Sequence, residues 1–408
     1  MTGKQNAGRA TAAATPERIP LAALLALTMA SFIATANESV PAGLLPQIAQ
    51  GFGISQAWAG QLVTLCALGS GLAAIPLTIA LANWRRRSVL LLAGAAFLVC
   101  NAVTALSPYL SLTLLARFMV GIATGLAWSL LAGYARRMVP VPLQGRAMAL
   151  AMLGIPLALA FGVPLSTWLG ALLGWRGVFG VLSGLSLVLM LWVRFKVPDY
   201  PGQASVRRLP MRKVLNIPGV RPILVVMLFW IMAHYTLYTY IAPFLAALGL
   251  GDRLDWALLT FGVAALGGIW ITGLLVDRWL RRLVLLSLGA FALVSLMLGF
   301  SGAPAGVTFI GIAVWGLSFG GSPTLLQTAL ADAAGDGADV AQSMLVTVFN
   351  LAFAASGVLG GLLLETLGTG VFPWVLMGML LVALIVASAA KEHGFKAGRR
   401  ASTRLELQ

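Results

Sequence analysis

Twelve runs of about twenty predominantly apolar residues follow one another along this chain, each closed by charged or turn-forming residues. A helix needs roughly 20 such residues to cross ~30 Å of hydrocarbon. The runs fall at 20–46, 56–82, 88–107, 109–134, 146–169, 175–197, 221–248, 255–276, 283–301, 304–330, 341–366 and 370–390. With 60% of the 408 residues hydrophobic and only 10% charged, the balance lies far outside that of soluble domains. The expectation is an all-α polytopic membrane protein of 12 transmembrane helices. A cleaved signal peptide is not expected, because the residues up to Pro20 are polar and the first apolar run is longer than a signal core.

A formal charge of +15 invites a nucleic-acid partner, and sorting the 27 Lys and Arg by side of the membrane removes that invitation. Counting tails and alternate loops puts 24 on one side, among them Arg85, Arg136, Arg207 and Arg208. Arg176 and Arg253 fall on the other side, and Arg117 lies within a span. The positive-inside rule then places both termini in the cytoplasm. The charge serves topology and attraction to anionic headgroups, so no nucleic-acid partner is expected. Cys66 and Cys100 sit inside spans as small packing residues, which predicts neither a disulfide nor a metal site.

Residues 198–220, "PDYPGQASVRRLPMRKVLNIPGV", are the longest polar segment between spans. They divide the chain into a tail (1–19), six spans (20–197), a cytoplasmic linker (198–220), six more spans (221–390) and a second tail (391–408). The halves share a landmark at an offset of 195 residues: "NWRRRSVLLLAGAAF" after the second span and "RWLRRLVLLSLGAF" after the eighth. Trp84 falls on Trp279, Arg86 and Arg87 on Arg281 and Arg282, and Gly94 on Gly289. Such an internal repeat marks transporter folds whose halves rock about a site near the bilayer midplane.

These boundary segments resemble the cytoplasmic loop of the major facilitator superfamily. The second copy is the fuller one, with Gly273, Asp277, Arg278, Arg281 and Arg282, whereas the first has Ala82 and Asn83 where Asp and Arg would stand. "ARFMVGIATG" resembles the family's Arg-x-x-x-Gly motif through Arg117, Gly121 and Gly125, and "GIPLALAFGVPLSTWLG" resembles its exporter motif, with Gly162-Val163-Pro164 in place of Gly-Pro. With "NESVPAGLLPQIA" and "YTYIAPFL", the chain resembles the bacterial twelve-span drug:proton antiporter branch of sugar, arabinose and purine nucleoside efflux permeases. The resemblance implies two pseudo-symmetric six-helix bundles around a central cavity, a cytoplasmic latch at Asp277, Arg278, Arg281, Arg282, Arg86 and Arg87, and residence as a monomer in the bacterial inner membrane.

A charge at mid-bilayer costs ~2.5–3.5 kcal/mol even on lenient scales and so marks function. Of twelve Asp and Glu, eleven fall in tails, loops or span ends, and Glu38 alone is left in the body of a span. At 1.5 Å per residue it sits roughly 27 Å along span one, and Arg117 roughly 12 Å along span four from the opposite side, so the two reach comparable depth. An ion pair between them, direct or through water, is expected. Removing a carboxyl from water favours its neutral form and a guanidinium favours the charged one, so a change of access or pairing switches the proton. Glu38 is the expected proton carrier, and the alternative is that it only satisfies Arg117 and orders the first bundle. His234 is a second titratable candidate. Asn37, Tyr235, Tyr238 and Thr239 are candidates for the cavity wall, with interfacial anchoring or packing as the alternative for the tyrosines. Gln327 and Asn350 are single polar groups suited to interhelical hydrogen bonds or to substrate. Gly154, Gly162, Pro164, Gly357, Gly360 and Gly361 read as close-packing and hinge positions.

The sequence therefore points to proton-coupled efflux of a small organic solute by alternating access, with a proton-coupled importer or a uniporter as the alternative. A membrane enzyme is disfavoured: no metal-binding His set, hydrolase triad or phosphate-cradling loop can be assembled from these spans. No cofactor is expected.

Overall fold

The computed structural model describes residues 20–81, 83–140, 143–202, 210–300 and 304–396. The expected tail 1–19, Ala82, Arg207 and Arg208 lie outside the described residues. Regular structure among the described residues is helical throughout. Nine of these helices are long and apolar enough to cross a membrane. Two of them, Gln144–Lys196 and Gly251–Gly299, are 53 and 49 residues long and each hold two spans; Gln56–Ala80 supplies one more. Twelve predicted spans are thereby accommodated.

The breaks between joined spans are local. Spans five and six divide at Gly174, whose φ of 71° and ψ of 160° suit glycine alone. Spans eight and nine share Leu254–Gly299, bent at Trp279 (φ −133°, ψ 26°), the residue that the internal repeat pairs with Trp84. Span one runs Leu21–Gly43, span three Arg86–Leu106, span four Leu110–Arg137, span eleven Ala338–Thr366 and span twelve Phe372–Ala389. Span seven runs Val220–Thr239 and resumes as Ile241–Ala247. Span ten is likewise broken, into Ala305–Gly320 and Ser322–Ala334.

Each half packs as a bundle, and the halves meet through spans two and eleven and through spans five and eight. We call the end where odd-numbered spans begin the near end. One continuous apolar core joins the far half of the first bundle (Val40, Leu62, Phe179) to the second bundle (Leu258, Phe353, Leu376). The near half of the first bundle has its own core around Leu27, Phe97, Leu131 and Val193. Between spans two and eleven the named contacts run from the far rim, where the Ser55 hydroxyl donates to Glu365 at 2.7 Å, to mid-depth, where Gly71 lies against Asn350.

The repeat extends into three dimensions. At the near end the Arg86 N–H donates to the Tyr200 carbonyl at 2.9 Å, and the Arg281 guanidinium donates to the Phe395 carbonyl at 3.2 Å. Both pairs obey the offset of 195. Arg281 also donates to Ala387 and Ser388 carbonyls at 3.0 and 2.9 Å, satisfying the C-terminal turn of span twelve. In the first half Asp199, just beyond span six, takes a hydrogen bond from Arg85 at 2.5 Å and one from the Arg87 N–H at 3.3 Å. Burial favours the neutral acid, but the Arg85 hydrogen bond, the Arg87 N–H and both guanidinium charges outweigh it and hold the Asp199 carboxyl below its ordinary range.

Candidate transport site

Span four carries Arg117, Gly121, Thr124 and Trp128 at spacings of four, three and four, which places them on one helix face. Gly121 lets that face lie directly on the backbone of span two at Cys66, so Arg117 is drawn into the bundle interior. Its side chain is fully buried. The guanidinium donates to the Asn37 backbone carbonyl and, at 3.4 Å, to the Asn37 side-chain oxygen. It also stands 5.4 Å from the centre of the Phe179 ring.

The expected ion pair with Glu38 is therefore not a direct contact: no ion pair within 4.0 Å joins Glu38 to Arg117 among the described residues. The reason is angular. Neighbouring helical residues point about 100° apart, so when Asn37 faces span four at Arg117, Glu38 faces elsewhere. Its carboxyl lies against the Trp128 indole, three turns further along span four, and within electrostatic reach of Tyr235 on span seven. Glu38 is 6% exposed, and its helix, span one, packs against span seven of the other half. Trp128 was missed in the sequence, although its spacing of eleven from Arg117 was visible there.

Span seven builds the opposing wall. His234 stacks face to face on Phe319 at 3.4 Å between centroids and lies 5.5 Å from Phe261. Its Nδ1 accepts a hydrogen bond from the Trp315 indole at 3.2 Å, which fixes that nitrogen as unprotonated. Tyr235 stacks on Phe353 at 3.6 Å. Tyr238 and Thr239 are buried, and their hydroxyls have no hydrogen-bond partner among the described residues. Asn350, buried on span eleven, donates to Val346 of its own helix at 2.9 Å, whereas Gln327 on span ten is exposed and outside this cluster. Phe261, Trp315 and Phe319 complete the aromatic wall; Trp315 and Phe319 belong to the span-ten stretch "WGLSFGGSPTLLQ", which resembles the family, but none of the three was singled out as a site residue.

Span five borders the site on its other flank. Ser31 and Thr28 of span one donate to the Ala151 and Leu150 carbonyls at 2.7 Å each, and Gly154 admits span one at backbone distance. The helix then widens into a π-turn at Ala158–Gly162 before Pro164. Gly262 of span eight lies on the backbone of Leu159 and Ala160 in that turn. Gly162 makes room for the Phe32 ring. π-Bulges of this kind concentrate at functional positions. Of the candidate latch residues, Asp277, Arg278 and Arg282 are exposed at the near end, while Arg86, Arg87 and Arg281 are engaged within their own halves as described above.

Residues 27–339 match the family described as Major Facilitator Superfamily. The chain belongs to that superfamily. It is accordingly a multi-pass membrane transporter and not an enzyme. A superfamily relative named purine ribonucleoside efflux pump NepI, from Escherichia coli O157:H7, is 29% identical over 87% of this chain and 90% of its own. Another, named transcription regulatory protein OpdE, from Pseudomonas aeruginosa, is 30% identical over 88% and 91%. The crystal structure of a D-xylose-proton symporter shares the superfamily fold with a TM-score of 0.74, at 18% identity over 93% of this chain and all of that one.

Proposed function

We propose that the protein is a proton-coupled exporter of a small organic solute, working by alternating access in a bacterial inner membrane with both termini cytoplasmic. The observation that carries this reading is Glu38: the one acid in the body of a span, buried where Asn37 and Trp128 of the first half face Tyr235 of the second. A carboxyl at a moving boundary changes its surroundings as the halves rock, and its affinity for a proton changes with them. Protonated from outside and deprotonated inside, it exchanges one proton for solute carried outward. One proton moving down ~100 mV and one pH unit releases roughly 3.7 kcal/mol, enough for a gradient of a few hundred-fold. Arg117 orders span one through Asn37, and His234 holds the aromatic wall as a neutral acceptor. The unpartnered hydroxyls of Tyr238 and Thr239, the Tyr235 ring and Asn350 are the groups offered to solute, Gln327 taking a peripheral part. Asp277, Arg278, Arg281, Arg282, Arg86 and Arg87 close the cytoplasmic face, with residues 198–220 as the tether between halves. The unit of transport is the monomer.

The name of the Escherichia coli relative ranks purine ribonucleosides first among solutes to test, and an aromatic wall suits a planar base. The experiment is proton movement in proteoliposomes presented with nucleosides, sugars and antibacterials, comparing wild type with Glu38→Gln. Solute-evoked proton flux that Glu38→Gln abolishes, with solute exchange retained, is the expected result. Flux that survives the substitution refutes the assignment.

A further inference from the structure

Span seven stops at Thr239 and restarts at Ile241, leaving Tyr240 between them with φ −110° and ψ 27°. That break turns the ring away from the course of its own helix and into the seam between spans two and eleven. The side chain is completely buried. Its hydroxyl donates to the Gly357 carbonyl at 2.7 Å, with the Ala57 carbonyl 3.4 Å away. Gly360 and Gly361 of span eleven flank the ring on one side and Gly60 of span two on the other. A Cβ on any of these three would run into the phenol. Gly360 and Gly361, which the sequence offered as helix-packing positions, thus form with Gly60 a socket for a side chain.

Tyr240, Gly357, Gly360 and Gly361 belong to the second half of the molecule and Gly60 to the first. We propose that Tyr240 is the gating residue of the far face: its ring is the plug, Gly60 the part of the socket that moves away, and the face opens when the two separate. This proposal rests on the alternating-access reading above. The hydrogen-bonding pattern suits a joint that must part. A phenol has one proton to give, and it goes to Gly357 within the same half. The 3.4 Å approach to Ala57 lies at the outer limit of a hydrogen bond. Separation therefore strands no buried donor. What holds the joint closed is fit, and close-packed interfaces respond to one added methyl by moving between discrete arrangements. At the rim above the plug, the exposed Ser55–Glu365 hydrogen bond exchanges readily with water.

The test is a distance measurement between spin labels at Trp58→Cys and Leu367→Cys, both exposed positions at the far ends of the two spans, with Cys66 and Cys100 replaced by alanine, in lipid nanodiscs. The readout requires neither solute nor a proton gradient, so it stands or falls separately from proton antiport. Wild type is expected to give a short distance. Gly60→Ala is expected to move more than half of the molecules to a distinct longer one, because the added methyl occupies the position of the ring. Gly60→Ala combined with Tyr240→Leu restores the short distance, and Tyr240→Phe alone retains it. Should Gly60→Ala not fold, Tyr240→Trp, which leaves span two unaltered and overfills the same socket, is expected to give the same long distance. A wild-type distance distribution in the folded Gly60→Ala or Tyr240→Trp protein overturns the proposal, as does failure of Tyr240→Leu to restore closure.

Discussion

Replacing Arg117 with methionine separates two accounts of the charged centre, because they predict opposite effects on stability. If Arg117 neutralised Glu38 in a tight ion pair, deleting it would leave a buried carboxylate unpaired and cost about 3–5 kcal/mol. The structure gives a different sum. The guanidinium makes one charge-assisted hydrogen bond to the Asn37 carbonyl, worth about 1.5–3 kcal/mol. Its position over Phe179 adds about 0.5–2 kcal/mol. The long contact to the Asn37 side chain adds little, and Nε has no hydrogen-bond partner among the described residues. Against this stands a desolvation cost of several kcal/mol for a cation with no exposed surface. The terms nearly cancel, and methionine fills a similar volume without polar atoms. Arg117→Met is therefore expected to unfold within about 1 kcal/mol of wild type, read by reversible denaturation in detergent micelles followed by tryptophan fluorescence. Its transport is expected to fall steeply, because span one loses the bond that sets the rotation of Asn37 and hence of Glu38. A loss of 3 kcal/mol or more would refute this reasoning and restore the ion pair.

The near-end fastening of the first half makes a pH-dependent prediction. Because the folded protein holds the Asp199 carboxyl below its ordinary range, its contribution is complete above the unfolded value of about 3.9 and is lost as pH falls through the folded one. Arg85 is largely exposed, so Asp199→Asn is expected to cost only about 0.2–1 kcal/mol at pH 7, a difference that shrinks in thermal melts as pH falls through the folded value. His234→Phe is expected to keep more than half of wild-type proton flux in proteoliposomes, since a ring remains stacked on Phe319; abolition of coupling would instead make His234 a proton carrier. Trp315→Phe leaves the His234 acceptor unpaired and is expected to destabilise by about 1–3 kcal/mol in the same denaturation assay.

The spans were legible because hydrocarbon thickness imposes their length on the sequence: predicted run 109–134 became Leu110–Arg137, and 370–390 became Phe372–Ala389. Glu38 was legible because a charge in an apolar run is costly and stands alone. Its surroundings were not. Depth along a helix follows from counting residues, but the direction a side chain faces depends on the rotation of the helix against its neighbours. That rotation placed Asn37, not Glu38, before Arg117. The aromatic wall was hidden for a different reason: Phe261, Trp315 and Phe319 satisfy the bilayer as well as any other apolar residues, so nothing in composition distinguishes an inward ring from a lipid-facing one. Tyr240 stood in the sequence within the polar and aromatic stretch of span seven, but its socket did not, because a break between two helical runs is set by tertiary fit and the socket is formed by glycines on two distant spans.

The two halves reach the same end by different chemistry, and that difference bears on how they move. In the second half the cation itself reaches back: Arg281 donates to two carbonyls at the end of span twelve, a region of partial negative charge, and to the Phe395 carbonyl just beyond it. In the first half the corresponding Arg86 contributes only its backbone N–H, and an intervening acid, Asp199, gathers Arg85 and Arg87. Tyr134 and Arg137 of span four strengthen that site by donating to the Pro198 and Pro201 carbonyls at 2.6 and 2.9 Å. In both halves the loop after the second span of the bundle is thereby tied to the end of its sixth. A strap within a bundle resists bending of that bundle and leaves its motion against the other unopposed. The repeat at an offset of 195 thus preserves the condition that alternating access demands, two bodies each stiff enough to rock as a unit, while the residues that meet across the seam, Glu38, Tyr235, Gly60 and Tyr240, have no counterpart in the repeated motif.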